Sequence, residues 1–481
     1  MRQKVEEAVQ QQKAVVEGFD LDRVLALASK RGASYADVRF QVLDNEVITV
    51  DNKVLESYAS RRMSGVGIRV SMKGAVGYAS TSDLSPANIR KTLDSAIRAA
   101  GATKAGKGEK EAFGKVKVNK ANVKSPSKVD PFGVAPEEKV SVALDANKAA
   151  WIGEKIKNAN TRLGLSKDFR RFASSEGADV RVETTIVGLF HTSVAQAKGV
   201  MEWAPCSESK CAGYEFIKSQ DWNSFTEDVS KLSVEAVGAK TPPPGTHPVV
   251  VDPQTLGVLL HEAFGHASEG DLVSTGESVL NGKLGTQLAS EHVTVVDEGV
   301  VDGGYYYPFD DEGTKKEKTV VVENGRLKNF LHDRNSASKL ESKPTGNGRA
   351  MNFENSPIVR QTNYYMQNGD LGFEEIIEDI DLGLYIRGKG LMGGEVEVGM
   401  GTFTFNVGPS KVIRKGELAE TVRGVVISGL ILETMKTIDA VGNDLKFRTN
   451  VFGGCGKNDQ TVPVGFGGPH IRIRRMTVGG R

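Results

Sequence analysis

The sequence predicts an α+β protein: an N-terminal α/β part with helices on an antiparallel sheet, and a β-rich, barrel-like C-terminal domain that carries a histidine-bearing helix. Three observations predict it. Residues 35–81 read as successive strands flanked by stretches of helical apolar spacing. The prolines of "KTPPPGTHP" can continue neither helix nor strand and so mark a boundary. Beyond it the glycines, 54 in the chain, cluster in "GKGLMGGEVEVGMG", "VFGGCGK" and "VGFGGPH", where the intervening valines and aromatics indicate bulged, tightly turned strands.

Taken in order, residues 5–33 read as helical, and the strands that follow carry turn signals at Asp44-Asn45, Asp51-Asn52 and Lys73-Gly74. Ser85 is placed as an N-cap with Pro86 at the first helical position of the next helix. Residues 1–102 therefore form an N-terminal α/β domain. Residues 103–130, rich in lysine and small side chains, read as a basic solvated linker. A middle α/β domain over 131–240 opens with the amphipathic "APEEKVSVALDANKAAWIG" and continues in strands. Residues 244–481 form the β-rich C-terminal domain.

Composition narrows the function. Lys+Arg 62 against Asp+Glu 61 leaves a net charge of +1, so no global field draws the chain to nucleic acid or an anionic membrane. No long uncharged apolar run is present to span a bilayer, and the first residues lack the layout of a secretory signal. Three cysteines are too few, and odd in number, for a disulfide framework. The expectation is a cytoplasmic protein.

The chemistry concentrates in "HPVVVDPQTLGVLLHEAFGHASEGD", read as a buried strand, a turn at Asp252-Pro253 and a helix bearing His261, Glu262 and His266. The two histidines are five residues apart, which on a straight helix separates them by about 140°. Convergence on one metal needs a π-bulge or a helix that loosens at Gly265. A catalytic zinc takes three protein ligands and keeps a position for water. Cys455, flanked by Gly453, Gly454 and Gly456, is the leading third ligand; Glu269 is its competitor and Asp271 a supporting partner. Glu262 is placed to act as general base on a zinc-activated water. Cys206 and Cys211 read as structural thiols. Tyr307, with its neighbours Tyr305 and Tyr306, and His332 are candidates for substrate or oxyanion contact, with packing as the competing role.

"HEAFGHASEGD", "DDEGT" (residues 310–314), "GNGR" (346–349), "GLYIRGKGLMGGEVEVGMGTFTF" and "GCGKNDQ", together with the N-terminal "YADVRF", "GVGIRV" and "GYASTSDL", resemble the TldD/PmbA family across nearly the whole chain. The likeness is to its TldD branch, which carries the zinc motif. The resemblance implies a zinc metalloprotease, one Zn2+ per subunit, that hydrolyses peptide bonds in small peptides or unfolded polypeptides. It assigns His261, His266 and Cys455 as ligands and Glu262 as base, and demotes Glu269. It also implies a TldE/PmbA-like partner subunit or a homodimer. "TKKEK" after "DDEG" departs from the family's pattern and leaves that loop open. The alternatives are a non-catalytic scaffold or regulatory subunit with a structural zinc, and a hydrolase of small amides.

Overall fold

The computed structural model describes residues 20–102, 113–391 and 393–480. The first helix, α1 (Leu21–Lys30), starts where Asp20 accepts a hydrogen bond from the Arg23 backbone N–H at 3.0 Å. The earlier part of the predicted 5–33 helix lies outside the described residues. Strands β1 (Tyr35–Asp51), β2 (Val54–Met72) and β3 (Ala75–Thr81) form an antiparallel meander. Helix α2 (Pro86–Ala102) opens on Pro86, with the Ser85 hydroxyl accepting from the Asn88 N–H.

Two expectations change here. Asp44-Asn45 is not a turn: β1 runs straight through it, Asp44 opposite Arg62 and Asn45 opposite Arg61. A bidentate Arg62 contact satisfies the Asp44 carboxylate, and pairing with strands on both sides overrides the local turn propensity. The stretch read as a linker is in part structured. Its residues 103–112 lie outside the described residues, but Phe113 is buried with its ring 4.9 Å from that of Tyr35. Lys120–Lys124 forms a strand, β4, parallel to Asp179–Glu183.

After α3 (Pro136–Ala149) come three long strands, β5 (Ile156–Ser174), β6 (Asp179–Ala197) and β7 (Val200–Lys210), then α4 (Trp222–Gly238). β1 pairs with β2 on one side and β5 on the other, so the first two units share one seven-stranded sheet. Its two faces differ. Val38, Ile48 and Val50 of β1 lie in apolar cores beneath the helices. The alternate residues Asp37, Arg39 and Gln41 are equally buried but polar, as the period of two along a strand allows. They meet the C-terminal region: Arg69 bridges Asp37 and Glu312, Gln41 accepts from the Phe353 N–H, and Arg170 grips Asp311. The "DDEGT" segment thus seats the C-terminal region on the polar face of the sheet.

In the C-terminal region β8 (Gly245–Val251) is central to a nine-stranded mixed sheet, parallel to Leu382–Ile386 and antiparallel to Ile471–Gly480. Gly393–Glu397 and Glu417–Val422 are its edges, so the barrel-like sheet stays open as a half-barrel. A second, six-stranded sheet contains Asn363–Met366 and Gly465–Gly468. The helix that follows β8 lies between the two sheets, with Leu256, Leu259, Leu260 and Phe264 in the largest core. Burial this complete fixes the helix, and the site it bears, in place.

Candidate metal centre

Asp252 caps helix α5 (Pro253–Leu259) by accepting from the Thr255 N–H at 2.8 Å, with Pro253 in the first turn. The chain then widens into a π-helical turn over Leu260–Gly265, closed by the His266 N–H donating to the His261 carbonyl. This i to i+5 bond brings the two imidazoles to one side, ring centroids 5.3 Å apart. Gly265 itself keeps ordinary right-handed helical angles. Its lack of a side chain serves another purpose: a Cβ there would stand 2.1 Å from Oε1 of the buried Gln361.

Cys455 arrives on a two-stranded hairpin, Cys455–Lys457 with Gln460–Val462, turned by Asn458 and Asp459, both at positive φ. Gly454 is required by that hairpin, since a Cβ would lie 2.1 Å from the Val462 carbonyl oxygen. The approach to the hairpin is pinned to the N-terminal sheet. The Phe452 ring occupies the notch left by Gly164, with the Arg162 guanidinium 4.7 Å from its centroid and Phe190 edge-on.

One ligand atom each from His261, His266 and Cys455 lies within 4.8 Å of the others. The Cys455 Sγ is 3.2 Å from His266 Nε2. His261, only 4% exposed, has no hydrogen-bond partner on either ring nitrogen among the described residues. Burial alone would raise the Cys455 thiol, but the two imidazoles outweigh it and hold it well below the usual thiol range. For His266 burial is outweighed by Glu269 and Cys455, which hold it well above the usual imidazole value. Two imidazoles and a thiolate-prone sulfur, one imidazole orphaned in a buried site, fit a zinc ion.

Glu262 stands beside this group, its carboxylate 3.7 Å from His266 Nε2 and its side chain 39% exposed. Glu269 does not join it. Its Oε2 accepts from His266 Nδ1 at 3.2 Å and from Lys457 Nζ at 2.8 Å, on the ring nitrogen away from Cys455. Burial would raise the Glu269 pKa, but Lys457 and His266 bring it down to about 2. Asp271 is gripped by Lys457 through both oxygens, at 2.8 and 2.7 Å. The competitor ligand is thus the partner of a histidine, because the ammonium between the two acids draws it there. Sequence reasoning missed Lys457, although a signal existed: on a strand, residues 455 and 457 share a face.

The remaining candidates are engaged elsewhere. The Tyr307 hydroxyl donates to Asp311 at 2.9 Å, and the Arg349 guanidinium lies 4.1 Å from its ring centroid. His332 is buried against Gly270, its Nδ1 3.1 Å from the Ser336 hydroxyl, and burial pushes its pKa down to about 4. Lys316 in the divergent "TKKEK" is internal, paired with Asp297 at 2.9 Å and bonded to Asn347. Cys206 and Cys211 are buried and free, and burial pushes the Cys211 thiol up to about 12.

Comparison with known proteins specifies the family. Residues 36–100, 129–239 and 244–480 match, in turn, domain 1, the central domain and the C-terminal domain of the PmbA/TldA metallopeptidases. The chain belongs to that family. It is 38% identical over 447 residues to a metalloprotease of Methanothermobacter thermautotrophicus, covering 93% of this chain and 95% of the relative. It is 30% identical over 470 residues to a zinc metalloprotease TldD homolog of Saccharolobus solfataricus, covering 94% and 98%. Its fold is that of a Thermotoga maritima protein described as a modulator of DNA gyrase, with TM-score 0.78, 23% identity and coverage of 95% and 99%. TldE from Thermococcus kodakarensis shares it too, with TM-score 0.76, 19% identity and the same coverage. Among the described residues no helix is long and apolar enough to cross a membrane.

Proposed function

We propose that the chain is a zinc peptidase that hydrolyses peptide bonds in small peptides or unfolded polypeptides, with His261, His266 and Cys455 holding one zinc and Glu262 as general base. The observation that carries this reading is the convergence of those three donors within 4.8 Å around a buried histidine with no other partner. When bound, zinc supplies Lewis acidity that lowers the pKa of water and polarises a carbonyl. The chain's own residues do the rest. Glu269, held by Lys457, accepts a hydrogen bond from His266 Nδ1 and so presents Nε2 toward Cys455. Glu262, half-exposed beside that nitrogen, takes a proton from the attacking water and returns it to the leaving amine.

A structural zinc would need a fourth protein ligand. The obvious fourth donor, Glu269, has its Oε2 on His266 Nδ1 and Lys457, on the ring nitrogen away from Cys455, which speaks against the scaffold reading. For substrate, the edge strand Gly393–Glu397 packs near the π-helical turn and pairs only with Thr402–Asn406 among the described residues. An extended peptide adding to that free edge would be held through its backbone, which suits an unfolded client and sets little sequence preference. A crystal with an uncleavable peptide bound as a helix, or away from this edge, ends that part of the proposal. We place the protein in the cytoplasm, with a TldE-like partner or a second copy of itself.

The test is cleavage of an unstructured peptide, followed by mass spectrometry, by zinc-loaded wild type and Glu262→Gln, each with and without any co-purifying partner. Wild type is expected to cut, and Glu262→Gln to hold zinc and lose at least about 100-fold in rate. Equal cutting by both variants, or none by wild type under any of these conditions, overturns the assignment.

A further inference from the structure

The two segments that converge at the centre are far apart in sequence, His261 on a buried helix and Cys455 on a small hairpin, and among the described residues no strand pairing joins them directly. Besides the Lys457 contacts to Glu269 and Asp271 and the Cys455–His266 contact, a pair of consecutive side chains joins the backbones of the two segments. Arg360 Nη2 donates to the Cys455 carbonyl, and its Nη1 donates to the Gln460 carbonyl across the same hairpin at 3.0 Å. Gln361 Nε2 donates to the His261 carbonyl at 3.0 Å. Both residues are fully buried.

We propose that Arg360 and Gln361 act as positioning residues that set the separation of the two ligand segments; this rests on the metal reading above. Three details support it. The carbonyl that Gln361 engages is the one that accepts the i to i+5 bond from His266, so Gln361 fills its second lone pair and holds the π-helical turn open. Gly265, inside that turn, leaves the space its amide occupies. The bracket is itself anchored on either side: the Val359 carbonyl accepts from Lys457, and the Thr362 N–H donates to the buried Asp297 at 2.8 Å. Arg349 adds a further bond to the Gln361 carbonyl. Neighbouring side chains on one short segment thereby hold the backbone of two ligands, so a shift of that segment moves His261 and Cys455 together.

The test reads metal binding rather than turnover. Zinc affinity by chelator competition, and the visible spectrum of the cobalt-loaded protein with its thiolate charge-transfer band, are compared for wild type, Arg360→Met, Gln361→Met, Gly265→Ala and Cys455→Ser. Gln361→Met removes the donor at similar volume and is expected to weaken zinc binding by about 10–100-fold and to shift the cobalt spectrum. Arg360→Met is expected to do the same through Cys455. Gly265→Ala guards against a folding failure in the arginine variant: the added methyl displaces the Gln361 amide, and Gly265→Ala combined with Gln361→Ala should bind no more weakly than Gln361→Ala alone, because both act through one contact. Wild-type affinity and spectrum in Gln361→Met and Gly265→Ala, with the thiolate band lost in Cys455→Ser, overturns the bracket and leaves the metal reading standing. A thiolate band that survives in Cys455→Ser overturns the metal reading and the bracket with it.

Discussion

The protein buries histidine and cysteine side chains in two regions and treats them in opposite ways. On β6 His191 is fully buried, with Nδ1 2.8 Å from the Thr161 hydroxyl and Nε2 2.7 Å from the Ser193 hydroxyl, and Cys211, just beyond β7, is a thiol that burial pushes up to about 12. In the C-terminal region His261 is buried with neither nitrogen bonded, and Cys455 is held well below the usual thiol range. Burial does not distinguish them. The distinction is partnership: His191 is complete without a ligand, whereas among the described residues His261 is left with two ring nitrogens that burial makes costly to abandon. A histidine count or a burial list would rank these sites alike. The inventory of unfilled lone pairs separates them.

The sharpest break of this comparison is to truncate both histidines. His261→Ala should cost at least about 100-fold in zinc affinity, at or above the upper end of what losing a mere partner of a ligand costs. His191→Ala should leave zinc binding unchanged, and equal losses in chelator competition would erase the distinction. Next in size, Glu269→Gln keeps the volume but loses the charge that faces His266 Nδ1 and Lys457, and should weaken zinc by about 10–100-fold. If zinc binding were unaffected there, Glu269 would be packing alone.

His191→Ala should still lower stability, by about 1–3 kcal/mol in denaturant titration, because it removes one buried hydrogen bond from each of the Thr161 and Ser193 hydroxyls, which keep only Asn147 and Ser230. The smallest effect is expected over the first pH unit below 6.5. Burial depresses the folded-state pKa of His191 from 6.5 to about 3. Between those values the unfolded chain binds a proton that the native state refuses, so the stability from this residue is present above pH 6.5 and falls as pH drops toward 3. The slope is about 1.4 kcal/mol per pH unit at most, and it should vanish from the difference between wild type and His191→Gln if the ring is not held neutral.

Much of the centre was legible because spacing is geometry. The five-residue step from His261 to His266 required a π-bulge or a helix loosened at Gly265, and the turn over Leu260–Gly265 is the former. The explanation for the glycines was less legible. Gly265 makes room for Gln361 and Gly454 for the Val462 carbonyl, and neither purpose appears without the partner segment. The same limit hid Lys457, Arg360 and Gln361, whose acceptors lie roughly a hundred positions away or more. In the fold, α2 showed itself through Ser85 and Pro86, since capping is local. Asp44-Asn45 misled because turn propensity yields to pairing on both edges, and nothing in β1 alone says it has two partners. Fusion of the first two units into one sheet was invisible for that reason.

The central claim, that His261, His266 and Cys455 hold one zinc with a position left for water, is tested most directly by X-ray absorption on the zinc-loaded protein and on Cys455→Ser. The account expects one zinc per chain, a single sulfur at about 2.3 Å with the remaining nitrogen and oxygen donors at about 2.0–2.1 Å, and loss of the sulfur shell in the variant. A zinc with no sulfur neighbour, or a sulfur shell that persists without Cys455, would contradict it.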